Sequence, residues 1–150
     1  MIAQRRIYSL QDLAVLEKDV LSGIHVLIAE DNDDTRELLE IVLSHAAARV
    51  TAAADGGAAL QAIRRLLPDI LVADLAMPSK DGFWLIEQVR ALPPDAGGRI
   101  PAVAISALVA PPDIERAKAL GYTEHVAKPA DPGQLARLIA ELVGRGRSRS

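Results

Sequence analysis

Residues 25–31 read His25-Val26-Leu27-Ile28-Ala29-Glu30-Asp31, a run of strand length closed abruptly by two carboxylates. Its apolar character is continuous rather than alternating, which suits a strand covered by helices on both faces. The pattern recurs as Ile70-Leu71-Val72-Ala73 before Asp74, as Ala102-Val103-Ala104-Ile105 before Ser106, and as His125-Val126-Ala127 before Lys128. A further short strand is expected at Val50–Ala53. Helical patterns fill the gaps. From Asp33 to about His45, Leu38, Leu39, Ile41 and Val42 lie on one side and Glu37 and Glu40 on the other, with Asp33 and Asp34 placed to cap the start. Asp55-Gly56-Gly57 opens a second helix, stopped by Pro68. A third is expected from about Phe83 to Ala91, a fourth from Pro111-Pro112-Asp113 to Gly121, and a fifth from Asp131-Pro132 to about Val143. Strands alternating with helices imply βαβ crossovers: an α/β, doubly wound, five-stranded parallel sheet with helices on both faces.

Composition bounds what such a domain does. A chain of 150 residues is a single domain that buries roughly 70% of its extended surface. Aromatics amount to 3% (Tyr8, Phe83, Trp84, Tyr122), too few for stacking platforms that hold single-stranded nucleic acid. The formal charge of -3 conceals a division: residues 24–143 hold 11 basic and 17 acidic residues, whereas Gly144 to Ser150 carry three Arg and no acid. An acidic domain with a short basic tail is not a duplex-binding surface, so no direct DNA binding is expected. The absence of Cys excludes disulfide scaffolds and thiolate chemistry and fits a reducing compartment. No apolar run approaches the ~18 residues of a transmembrane helix, and the expectation is a cytoplasmic protein without membrane insertion.

Two flanks lie outside the alternating pattern. In residues 1–23, Ser9-Leu10-Gln11-Asp12 reads as a capping box, and Leu10, Leu13, Ala14, Val20 and Leu21 form an apolar stripe, so a linker or extra N-terminal helix stopping at Gly23 is expected. Its stripe also allows pairing with a second copy. Residues 24–143 are expected to be the globular domain and 144–150 a basic disordered tail.

Ligands of doubly wound sheets gather at the carboxyl ends of the strands. Standing there are Glu30 and Asp31, then Asp74, Ser106 and Lys128. Three converging carboxylates repel one another unless a cation joins them, and an all-oxygen site with room for water suits Mg²⁺. Lys128 and Ser106 remain to hold phosphoryl oxygens, one as a point charge and the other as a hydrogen-bond donor. Asp74 is the candidate nucleophile, because a carboxylate can attack phosphorus in line and form an acyl phosphate.

Val26-Leu-Ile-Ala-Glu-Asp31, Asp74-Leu-Ala-Met-Pro78 with Asp81-Gly82, Ala104-Ile-Ser-Ala107 and Lys128-Pro129, in that order, resemble the signature of the receiver domain of two-component response regulators. The resemblance implies a flavodoxin-like sheet of order 2-1-3-4-5, with phosphoryl passing to Asp74 from a phosphohistidine on a histidine kinase or histidine phosphotransfer protein. It also implies Mg²⁺ held by Asp31, Asp74 and the main-chain carbonyl of Ala76, with Glu30 reaching it through water. Pro129 becomes a cis-peptide candidate, and Ser106 and the residue three before Lys128, His125, become switch candidates. Such a protein is a signalling phosphoacceptor, not an enzyme acting on other substrates.

Several positions depart from the family's pattern. Glu30 stands where Asp is commoner, Lys80 replaces a frequently apolar residue, and Ala130 replaces a frequent aromatic or branched one. His125 occupies an aromatic position and is smaller, polar and titratable near neutral pH. Ala76 and Leu108, two residues beyond Asp74 and Ser106, cannot hydrogen-bond an attacking water, so slow self-dephosphorylation is expected. Ala76 also argues against an aspartyl-phosphate phosphatase, which needs a second Asp there, and against a toprim-like nuclease. A phosphate-independent scaffold normally lacks part of the acidic set, which here is whole. The seven residues after the last expected helix cannot form an output domain, so the signal is expected to leave through contact with a downstream protein. A free-standing regulator and the receiver of a hybrid kinase both fit.

Overall fold

The computed structural model describes residues 18–148. The elements are β1 (His25–Ala29), α1 (Asp33–His45), β2 (Arg49–Ala53), α2 (Gly56–Leu66), β3 (Ile70–Asp74), α3 (Gly82–Arg90), β4 (Ala102–Ser106), α4 (Pro111–Leu120), β5 (Glu124–Ala127) and α5 (Pro132–Ser148). A 3-10 turn at Pro94–Ala96 lies between α3 and β4. All strands are parallel in the order β2-β1-β3-β4-β5. This is the flavodoxin-like arrangement the alternating pattern implied.

The pleat explains the continuous apolar runs. Successive side chains of a strand point to opposite faces, and each face has its own core. Val26, Ile28, Ile70, Val72, Val103 and Ile105 pack with Leu39, Val42 and Leu43 of α1 and Leu135 and Ile139 of α5. Leu27, Ala29, Leu71, Ala73, Ala102 and Ala104 pack with Leu60 and Ile63 of α2, Leu85, Ile86 and Val89 of α3 and Ala117 of α4. Burying each large side chain contributes ~1.5–3 kcal/mol, so a polar residue anywhere inside β1, β3 or β4 costs one face of the core. In these three strands polarity is therefore confined to the ends.

The helix starts differ in one respect from the sequence reading. Asp55 caps α2 and Asp81 caps α3, accepting from Ala58 N at 2.8 Å and Trp84 N at 2.9 Å. At α1, however, the cap is Asn32, whose Oδ1 accepts from Thr35 N at 2.9 Å; Asp33 and Asp34 fall in the first turn instead. The one-residue shift arises because Asn32 also donates its N–H to Glu30 Oε2 at 3.1 Å, which sets the turn out of β1.

Both flanks also correct the expectation. Most of the expected N-terminal helix, with Leu10, Leu13, Ala14 and the capping box, lies outside the described residues. Its last part does not: Lys18–Gly23 form turns rather than helix, Asp19 has a φ of 62°, and fully buried Leu21 donates its N–H to Ala46 O at 2.9 Å. At the other end α5 does not stop near Val143. It runs to Ser148 through Gly144 and Gly146, so residues 144–148 are helical rather than a disordered tail. Each helical Gly costs ~1 kcal/mol relative to Ala, opposed here by the Arg145–Glu141 pair and by Arg147 Nη2, which donates to Gly23 O at 2.9 Å. Among the described residues, no helix is long and apolar enough to cross a membrane.

Candidate functional site

Register brings the polar strand ends together. Ala29 pairs with Ala73 and with Ala53, so Glu30 and Asp31 leave β1 beside Asp74, the last residue of β3. Asp74 pairs with Ile105, which places Ser106 one step further on β4, and Ser106 pairs with Ala127, the residue before Lys128. Carboxylate oxygens of Glu30, Asp31 and Asp74 lie within 4.8 Å of one another. Glu30 and Asp74 are 2% and 7% exposed, while Asp31 opens to solvent at the mouth.

Lys128 closes the cluster. Its Nζ donates to Glu30 Oε1 at 2.6 Å and to Asp74 Oδ2 at 2.9 Å, spanning from the far side of the sheet to β1 and β3. The remaining oxygen of Asp74, Oδ1, accepts from Ala76 N at 3.0 Å. The peptide bond from Lys128 to Pro129 is cis. Burial pushes the Glu30 carboxyl above its ordinary range, only partly offset by the hydrogen bonds from Lys128 and Asn32. Burial alone would depress the Lys128 ammonium, but its hydrogen bonds to Glu30 and Asp74, with their charge, more than reverse that and hold it above its ordinary value.

Three carboxylates answered by one ammonium leave two formal negative charges in excess. Such a set of hard oxygen donors fits a divalent cation, Mg²⁺ in particular.

The loop after β3 is folded tightly back onto the strand. A Cβ at Gly82 would stand 2.4 Å from Asp74 O, so only glycine lets α3 begin there, with Gly82 N donating to Leu75 O at 3.1 Å. Tyr122 holds the same point from α4's end, its hydroxyl donating to Gly82 O at 2.8 Å. Lys80 lies on this loop with Nζ 4.9 Å from the centroid of the Trp84 ring, a cation–π contact rather than a part of the acidic cluster.

Ser106 is fully buried, and its Oγ accepts from Leu108 N at 2.9 Å. The Leu108 carbonyl in turn lies 3.2 Å from His125 Nε2. The two switch candidates thus touch opposite ends of one residue. Ala76 is exposed and Leu108 is 36% exposed, and neither carries a polar side-chain atom.

One participant was not singled out in the sequence. Arg36, in the first turn of α1, donates from Nη1 to the carbonyls of Glu30 at 3.1 Å and Asp31 at 3.4 Å, and from Nη2 to Asp33 Oδ1 at 2.6 Å. The available signal was a long basic side chain one helical turn beyond the carboxylate pair.

Comparison with known proteins gives a consistent result. The model of the response regulator receiver domain matches residues 26–140. An uncharacterized 14.6 kDa protein of Leptolyngbya boryana is 40% identical over 121 residues, covering 81% of this chain and 91% of its own length. The Regulator of RpoS of Escherichia coli K12 is 36% identical over 120 residues, covering 79% of this chain but 34% of its own length. The chain thus spans only about a third of that relative. Among solved structures, a putative response regulator from Chloroflexus aurantiacus superimposes with a TM-score of 0.76 at 32% identity, covering 81% of this chain and 98% of the other. The receiver domain of a sensor histidine kinase from Pseudomonas aeruginosa, crystallised with magnesium coordinated in its active-site cleft, gives a TM-score of 0.75 at 29% identity, covering 82% and 99%. Fold, strand-end chemistry and these matches agree: the chain belongs to the response regulator receiver domain family, the phosphoacceptors of two-component signalling.

Proposed function

We propose that Asp74 is the residue that receives the phosphoryl group, from a phosphohistidine on a histidine kinase or histidine phosphotransfer protein. The observation carrying this reading is a strand-end carboxylate paired with Lys128 inside a cluster of three carboxylates. In the transfer an Asp74 oxygen bonds to phosphorus as the donor's P–N bond breaks, and that bond's electron pair stays on the departing imidazole. Lys128 then passes from Asp74 to the phosphoryl oxygens as a point charge. Asp31, Asp74 and the Ala76 main-chain carbonyl would hold Mg²⁺, with Glu30 reaching it through water, and the ion when bound would supply positive charge against the phosphoryl oxygens.

Switching follows from the buried hydroxyl. Turning Ser106 Oγ toward a phosphoryl oxygen breaks its bond to Leu108 N, and the Leu108 carbonyl passes the change to His125. The altered β4–α4 loop and β5 then meet a downstream protein, in the cytoplasm. If His125→Ala leaves phosphorylation and its coupling to partner binding unchanged, His125 has no part in the switch. Hydrolysis of the acyl phosphate is slow, because Ala76 and Leu108 offer no group to orient water.

The test is incubation with Mg²⁺ and acetyl phosphate, read by intact mass. One added phosphoryl group, absent in Asp74→Asn, is the expected result. No addition from acetyl phosphate or from any histidine kinase favours a phosphate-independent scaffold.

A further inference from the structure

We infer that Arg36 is a positioning residue for the acidic cluster: its guanidinium clamps the Glu30 and Asp31 carbonyls so that their side chains converge with Asp74 on a divalent cation. This rests on the reading of the cluster as a cation site. The geometry gives the guanidinium three oxygen acceptors, on Glu30, Asp31 and Asp33. Two belong to the backbone of the residues whose carboxylates form the cluster. As the chain leaves β1, these carbonyls find a donor in Arg36: Nη1 serves both, while Nη2, held on the Asp33 carboxylate, fixes the plane of the guanidinium. The same turn is held by Asn32 N on Glu30 Oε2 and by the Asn32 cap on Thr35 N. Backbone and side chain of Glu30 are therefore fixed from two sides.

Arg36 is also a positive charge close to a cation site, and that property works against cation binding. The clamp and the charge predict opposite signs, which makes the proposal decidable. If the charge dominated, Arg36→Gln would bind Mg²⁺ more tightly and Arg36→Lys would bind it as the wild type does. If the clamp dominates, both variants bind more weakly, because Lys keeps the charge but lacks the planar fork. Removing a partner that orients a metal ligand typically costs 10- to 100-fold in affinity.

The experiment is isothermal titration of the purified full chain with MgCl₂, comparing wild type, Arg36→Lys and Arg36→Gln, with Asp31→Asn as a control expected to abolish binding. The expected result is a Kd for Mg²⁺ raised about tenfold in both Arg36 variants. A metal-free readout accompanies it: the Asn32 amide, bonded to the Glu30 carboxylate, exchanges with solvent about tenfold faster in Arg36→Lys while core amides of β1 stay protected. A Lys variant within twofold of wild type in both Kd and Asn32 exchange, or a Gln variant that binds more tightly, overturns the clamp. Wild-type protein that takes up no Mg²⁺ overturns instead the reading of the cluster as a cation site. Should Arg36→Gln unfold, the Lys variant carries the decision, since it retains the charge and the aliphatic stem.

Discussion

The two ends of this one sheet treat their polar groups differently. At the amino end, His25 N donates to Asp69 Oδ2 at 2.7 Å, Asp69 N donates to His25 O at 2.9 Å, and His25 Nε2 lies 2.8 Å from Thr51 Oγ1. Arg147 adds a contact to Asp69 at 3.6 Å, and His25, Arg49 and Asp69 border an open cleft of about 420 Å³. The carboxylate there, Asp69, is answered locally by the His25 amide and by Arg147, and Arg49 adds further positive charge. At the carboxyl end, Lys128 reaches Glu30 and Asp74 on separate strands, and the cluster keeps an excess of negative charge. A carboxylate answered by its neighbours finishes a fold, whereas carboxylates in excess of their cation around a buried pair call for a ligand.

The comparison can be broken from either side. Lys128→Met has the largest expected effect: phosphoryl addition from acetyl phosphate slows about 100-fold or more, and metal-free stability in urea falls by about 3 kcal/mol because two buried carboxylates lose their cation. Adding Mg²⁺ recovers part of that stability; no destabilisation without metal would show that the carboxyl end is not charge-strained. Ala76→Asn or Ala76→Glu comes next. Either supplies a group that orients water and shortens the lifetime of the phosphorylated protein about tenfold, measured as loss of the added mass with time. An unchanged lifetime would show that Ala76 does not set the rate of hydrolysis.

The amino end supplies the contrast. Asp69→Asn weakens the bond to His25 N and costs about 1 kcal/mol of stability by urea unfolding, yet leaves the rate of phosphoryl addition within about twofold. A large loss of transfer there would mean the two ends are coupled. The smallest effect is in pH. His25 is held below its ordinary pKa by burial and then by Arg49, with Asp69 opposing. Its folded form favours the neutral imidazole, so its contribution is present above about pH 6.5 and is lost as pH falls through the depressed folded pKa. Glu30 is raised, so its protonated form is favoured in the fold; its contribution is complete below about pH 4.3 and is lost as pH rises through the elevated folded pKa. In EDTA, His25→Gln should flatten the first slope of the thermal midpoint and Glu30→Gln the second. Identical pH curves for all three proteins would show that neither group titrates as described.

What was legible in the sequence follows the same division. The strands of the two-faced core were readable because a helix-covered strand tolerates no polar residue, so its ends announce themselves, and with them Glu30, Asp31, Asp74, Ser106 and Lys128. Features decided by contacts between distant segments were not readable. Gly144 and Gly146 argue locally for a helix end, but Arg147 meets Gly23 across the fold and α5 continues. Asp33 and Asp34 looked like caps until the bond from Asn32 N to Glu30 moved the cap to Asn32. Arg36 escaped notice because its partners are main-chain carbonyls, which no residue type advertises.

The central claim, that the charged end of the sheet carries the phosphoryl group on Asp74, is met most directly by locating the modification chemically. Protein phosphorylated with acetyl phosphate and Mg²⁺ is reduced with borohydride, which converts an aspartyl phosphate to homoserine, and is then digested and mapped by mass spectrometry. The account predicts homoserine at position 74 and at no other residue; homoserine at Asp31 or any other aspartate, with Asp74 intact, contradicts it.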